Sequence, residues 1–141
     1  MTTNTATARY EGLGKDGKGH VRTKSGVLDA AYGFGTRFEG KPGTNPEEMI
    51  AAAHASCFTM ATSFALAKAG HSDGTLETTC RIALDQQDDG FAVTKSELSL
   101  TARIPGIDQA EFEKLAQGAK AGCPISKLLN CEITLETTLE G

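Results

Sequence analysis

The sequence predicts an α+β fold on three observations. Short β-prone runs fill the first 40 residues and recur later in the chain, a long apolar stretch carries a full set of helix signals, and a second helical pattern precedes a clean terminal strand. At 141 residues the chain suits one domain, 1–141, able to bury a core without disulfides.

Residues 1–40 contain ARYEGL, HVRTKSGVL and AAYGFGTRF, divided by glycine turns, which predicts an antiparallel meander. Residues 45–69 predict a central helix: Asn45 is the N-cap, Pro46 the first helical position, Glu48 the third, and Gly70 the terminator. This helix is apolar enough to raise the membrane question, but His54, Ser56, Thr59, Thr62 and Ser63 interrupt it. A buried central helix suits that pattern better than a bilayer span. Residues 75–104 predict a hairpin, TLETTCRIAL and AVTKSELSLTARI joined across DQQDDGF. Residues 108–121 predict a second helix opened by Asp108 and Glu111, with Phe112, Leu115, Ala116 and Ala119 on one face and Gly122 as its stop. The short turn CPISKLLN follows, and residues 131–140 alternate as a strand.

The balance of 14 basic against 18 acidic residues gives a net charge of −4, with the cations scattered, so nucleic acid is not an expected partner. The start MTTNTATARYEG is polar and unlike an export leader. The expected compartment is therefore the cytoplasm, where the four cysteines stay reduced. No membrane association is expected.

Strand alternation points Cys80 inward with Leu76, Ile82 and Leu84, and Cys131 inward with Ile133, Leu135 and Leu139. Both read as small buried hydrophobes. Cys123 precedes Pro124 and follows Gly122, which suits the N-cap of the short turn, where backbone N–H groups favour a thiolate. Cys57 shares the apolar helix face Ile50, Ala53, Met60 or Ala61 and Phe64, and by pattern alone reads as core. His54, Cys57 and Cys123 also sketch a metal site, but neither a CxxC nor a second HxxC accompanies them. Arg37 by itself fits a solvated strand end, and Glu47 a carboxylate at the positive end of a helix.

The stretches TNPEEMIAAAHASCFTMA and AGCPISKLLN, with GTRFEG ahead of them, together resemble the osmotically inducible protein C and organic hydroperoxide resistance family, and the arginine in GTRFEG resembles the osmotically inducible branch. The resemblance implies an OsmC-like fold, with antiparallel sheets around a long buried helix in an intertwined homodimer. It implies a peroxidase for organic hydroperoxides in which Cys57 is the nucleophile, Cys123 resolves its sulfenic acid as a disulfide, and Arg37 and Glu47 activate the site. It also implies no bound cofactor or metal, with a small dithiol or a lipoylated protein as reductant.

Chemistry agrees with that assignment. Burial in an apolar helix suppresses a thiolate, so a cation must offset it, and Glu47 can hold the Arg37 fork. Ten residues of continuous helix separate Glu47 from Cys57 by about 15 Å, so the two cannot meet within one helix. This predicts that Arg37 and Glu47 of one copy serve Cys57 of another. Met60, Phe64 and Phe38 suggest peroxides with apolar tails. Without the resemblance, the residues equally fit a non-catalytic stress or ligand-binding protein with buried structural cysteines.

Overall fold

A computed structural model describes all 141 residues. The fold is α+β: two three-stranded sheets, a long helix and three shorter ones. Contacts divide the chain into two compact units, residues 1–49 and 50–141.

In the first unit, β1 (Ala6–Glu11), β2 (Lys18–Thr23) and β3 (Asp29–Tyr32) form an antiparallel meander in that order. The predicted third strand stops early, because Phe34–Phe38 winds into a short helix, α1. Thr36 explains the break: its hydroxyl accepts from the Gly33 N–H at 2.8 Å and donates back to the Gly33 carbonyl at 3.0 Å, offering the backbone a turn instead of a ladder. The chain then passes back against β3, where Thr44 N–H donates to the Ala31 carbonyl at 2.9 Å. Only glycine fits at position 43, since φ is +139° and a Cβ would lie 2.5 Å from the Ala31 oxygen.

The helix α2 (Pro46–Lys68) begins as its sequence predicts. Asn45 Oδ1 accepts the Glu48 N–H at 2.7 Å, and Pro46 occupies the first position. It ends in paired carbonyl caps: His71 N–H reaches the Leu66 carbonyl and Gly70 N–H the Ala67 carbonyl, both at 3.0 Å, with Gly70 at φ +98°.

In the second unit, β4 (Thr75–Gln87) and β5 (Gly90–Arg103) form the predicted hairpin, with a bulge at Ala83 and Leu84. The helices α3 (Gln109–Gly122) and α4 (Pro124–Leu128) carry the chain to β6 (Glu132–Glu140). This last strand pairs parallel to β5, so the sheet is mixed rather than antiparallel as expected. The two intervening helices supply the long return that parallel pairing needs.

One face of this sheet is apolar. Leu98, Leu100 and Ala102 of β5 pack with Phe58 and Leu66 of α2, and with Phe112, Ala116 and Ala119 of α3, as a single buried cluster that also holds Cys123. The opposite face carries Glu97, Ser99, Thr101 and Arg103.

The stripe that α2 buries is His54, Phe58, Thr62 and Leu66, not the predicted face through Ala53, Cys57 and Phe64. A helix apolar all round has no pattern to mark its inward side. Packing against the sheet decides it, and in the single chain Met60 and Phe64 stay 60% and 69% exposed.

Candidate active site

Cys57 projects from the middle of α2, and Cys123 is at once the C-cap of α3 and the N-cap of α4. The fold brings these two sulfurs, 66 residues apart in sequence, to 2.9 Å in a sulfur–sulfur hydrogen bond. All four cysteines are free thiols, with Cys123 buried and Cys57 partly exposed.

Surroundings separate the two thiols. Burial pushes the Cys57 thiol up, and its hydrogen bond to Cys123 pushes it further; the Ile125 amide opposes them. Burial is also the largest single influence on Cys123 and pushes it up, yet Cys123 ends below the usual thiol range. The bond to Cys57, the amides of Ser126 and Ile125 and the Ser126 hydroxyl together outweigh that burial. Within one chain Cys123 therefore loses its proton first, and Cys57 then donates to it.

Arg37 and Glu47 meet in the first unit. Arg37 Nε donates to Glu47 Oε1 and Nη2 to Oε2, both at 2.8 Å, in a two-pronged pair that raises the guanidinium pKa further. Asn45 braces the arrangement through an Nδ2 bond of 3.2 Å to the Thr36 carbonyl, joining α1 to the start of α2. The guanidinium also lies 5.3 Å over the Phe38 ring. Beside it opens a cavity of about 290 Å³ whose lining includes Tyr10, Tyr32, Phe34, Phe38 and Lys15.

His54 is fully buried, and its ring nitrogens meet Ser96 Oγ at 2.6 Å and Ser126 Oγ at 2.8 Å. Burial lowers its pKa, so the ring is neutral. With both nitrogens engaged, none remains for the metal that its spacing from Cys57 suggested, and no group of three or more His, Cys, Asp or Glu residues is placed to hold an ion. Cys80 packs against the core as predicted, with Sγ 3.3 Å from Ser96 Oγ, and burial pushes its thiol up. Cys131 is half-buried in the bend ahead of β6.

Sequence reasoning missed Ser96 and Ser126. Ser96 sits in phase with Leu98 and Leu100 on the inward face of β5, so a polar residue at a core position was its only signal. Ser126 carried none beyond its place in the first turn after Pro124.

Comparison with known proteins gives a consistent picture. Residues 38–138 match the family described as OsmC-like protein. The chain is 52% identical over 134 residues to the peroxiredoxin OsmC of Escherichia coli K12, covering 94% of each protein. It is 30% identical to the organic hydroperoxide resistance protein OhrB of Bacillus subtilis, over 84% of this chain and 88% of that one. The crystal structure of Bacillus subtilis OhrB superposes with a TM-score of 0.72 at 25% identity, covering 99% of this chain and 98% of that one. An OsmC-like protein of unknown function from Vibrio cholerae shares the fold with a TM-score of 0.78 at 17% identity, covering 97% of this chain and 99% of that one.

Proposed function

The chain belongs to the OsmC-like family, on the osmotically inducible side of it, and from that premise we propose that it is a thiol-dependent peroxidase for organic hydroperoxides. The observation that carries this reading is the 2.9 Å approach of Cys57 and Cys123. Two free thiols held less than an ångström beyond a disulfide bond of about 2.05 Å need little movement to become one.

In this reading the Cys57 thiolate attacks one peroxide oxygen, the O–O bond breaks, and the alkoxide leaves as an alcohol once protonated, with Cys57 as sulfenic acid. Cys123 then attacks the Cys57 sulfur, expels hydroxide and closes the disulfide. A dithiol restores both thiols by two exchanges and departs as its own cyclic disulfide. We assign that role to a small dithiol or a lipoylated protein, and the setting to the cytoplasm, where such reductants are present.

The assignment requires Cys57 to ionise, against the bias within one chain. None of the groups acting on the two thiols is a cation. Arg37 of a second copy is our candidate, held by its own Glu47 with the Nη1 edge of the guanidinium turned to the thiolate. Two features support a homodimer: the exposed Met60 and Phe64 lie on the same side of α2 as Cys57, and ten residues of helix separate Cys57 from Glu47. The aromatic cavity beside Arg37 supports a preference for peroxides with apolar substituents.

Intact mass after one equivalent of cumene hydroperoxide tests the core of this reading: an intramolecular disulfide appears as a loss of about two mass units. With dihydrolipoamide as reductant, kcat/KM for cumene hydroperoxide should exceed that for hydrogen peroxide. Equal values would remove the substrate assignment, and an unchanged mass the peroxidase itself.

A further inference from the structure

The cavity beside Arg37 has walls suited to more than an apolar group. Its lining runs from Tyr10 to Pro46, wholly within the first unit, and includes four aromatic rings and two cations but no carboxylate. Lys15 Nζ stands 5.0 Å from the centre of the Phe34 ring and the Arg37 guanidinium 5.3 Å from that of Phe38, and the two ring centres are 5.1 Å apart. One aromatic pair therefore carries both positive charges. Tyr10 and Tyr32, edge to face at 6.0 Å, complete the aromatic lining.

The two cations differ in what they hold. Arg37 gives two donors to Glu47, whose carboxylate offsets its charge. Lys15 enters none of the chain's ion pairs, and its contact with the face of Phe34 uses none of its three N–H donors on an anion. Its place is nevertheless fixed. Lys15 sits in a single 3₁₀ turn, Gly14–Asp16, and the Gly14 carbonyl accepts the Tyr10 hydroxyl at 2.8 Å. Gly17 closes the same turn so tightly that a Cβ there would lie 2.2 Å from the Tyr10 ring. A ring that lines the cavity thus also holds the turn that carries the lysine.

An anion with an apolar body satisfies both features at once: the body displaces water from the rings, and the carboxylate takes the donors of Lys15 in a charge-assisted bond. A neutral molecule gains only the first contact, and an inorganic anion only the second. We propose that this cavity binds amphiphilic carboxylates of about ring size, with the acid group on Lys15, so that Lys15 makes the protein prefer hydroperoxides that carry a carboxylate over neutral ones. The preference among hydroperoxides rests on the peroxidase reading; the binding site does not.

The test therefore has a binding arm that needs no turnover. The chain contains no Trp, and both of its Tyr residues line the cavity, so tyrosine fluorescence reports on this place alone. Titrated into the full chain, with calorimetry giving the affinity, cyclohexylacetate should bind about fivefold more tightly than cyclohexylethanol, and added salt should erase the difference. Lys15→Met should bind the acid no better than the alcohol, whereas Lys15→Arg should keep the preference. In the kinetic arm, the ratio of kcat/KM for para-carboxycumene hydroperoxide to that for cumene hydroperoxide should be about five in the wild type and fall to about one in Lys15→Met. Equal affinities for acid and alcohol, an acid preference that survives Lys15→Met, or a wild-type kinetic ratio near one would each overturn the proposal. Failure to reduce either hydroperoxide would instead remove the peroxidase reading and leave the binding result standing.

Discussion

At Cys57 the thiol is held up by burial and by its neighbour, while Cys123 is held below the usual thiol range, so within one chain the surroundings favour ionisation of Cys123, and the proposed nucleophile Cys57 needs a cation from outside it. Cys57→Ser should abolish peroxide consumption measured with dihydrolipoamide. Cys131→Ser, altering a half-buried thiol in a bend, should keep turnover within about twofold and change the unfolding free energy from urea titration by about 0.5 kcal/mol at most. His54 adds a pH signature. Its folded pKa lies below the ordinary 6.5, so under that pH the unfolded chain binds a proton that the folded chain refuses. Its contribution is whole above 6.5 and is lost as pH falls through the folded value. Urea midpoints should drop between pH 7.5 and 5.5, and the drop should shrink in His54→Gln. Cys123 was readable as an N-cap because Pro124 marks the turn. Arg37 and Glu47 came from the family resemblance alone, since one strand-end arginine and one first-turn carboxylate carry no local signal.

At the scale of elements, capping was legible and facing was not. Asn45, Pro46 and Glu48 predict the start of α2 because a side-chain acceptor three residues ahead of a free N–H is a local matter. Asn45→Ala should cost about 1–2 kcal/mol of stability by denaturant titration, because it removes the cap and also the bond to the Thr36 carbonyl that joins α1 to α2. The buried stripe of α2 was not legible, because Ala53, Cys57 and Phe64 are as apolar as Phe58 and Leu66. The turn at Phe34–Phe38 escaped notice because Phe and Tyr in AAYGF favour a strand, and one hydroxyl, Thr36, redirects the backbone. The parallel pairing of β6 was also hidden: alternation gives a strand its faces but not its direction.

For the whole molecule, the proposed homodimer would both cover the exposed apolar side of α2 and supply the cation that Cys57 lacks within one chain. Sedimentation velocity should show a dimer. Phe64→Glu, at the exposed end of that side, should shift it toward monomer and cut turnover at least tenfold if Arg37 comes from the other chain. A fully active monomer would end that assignment.

The parallel return of β6 also has a consequence for how the chain acquires its order. The hairpin β4–β5 closes across a tight turn and can form early, whereas β6 can join only after α3 and α4 have packed, at a greater loop-closure cost. Cys123 sits at the junction of those two helices, so it reaches Cys57 only as this late step proceeds. During synthesis Cys57 leaves the ribosome well before its neighbour, and the two thiols come together only when folding is nearly complete.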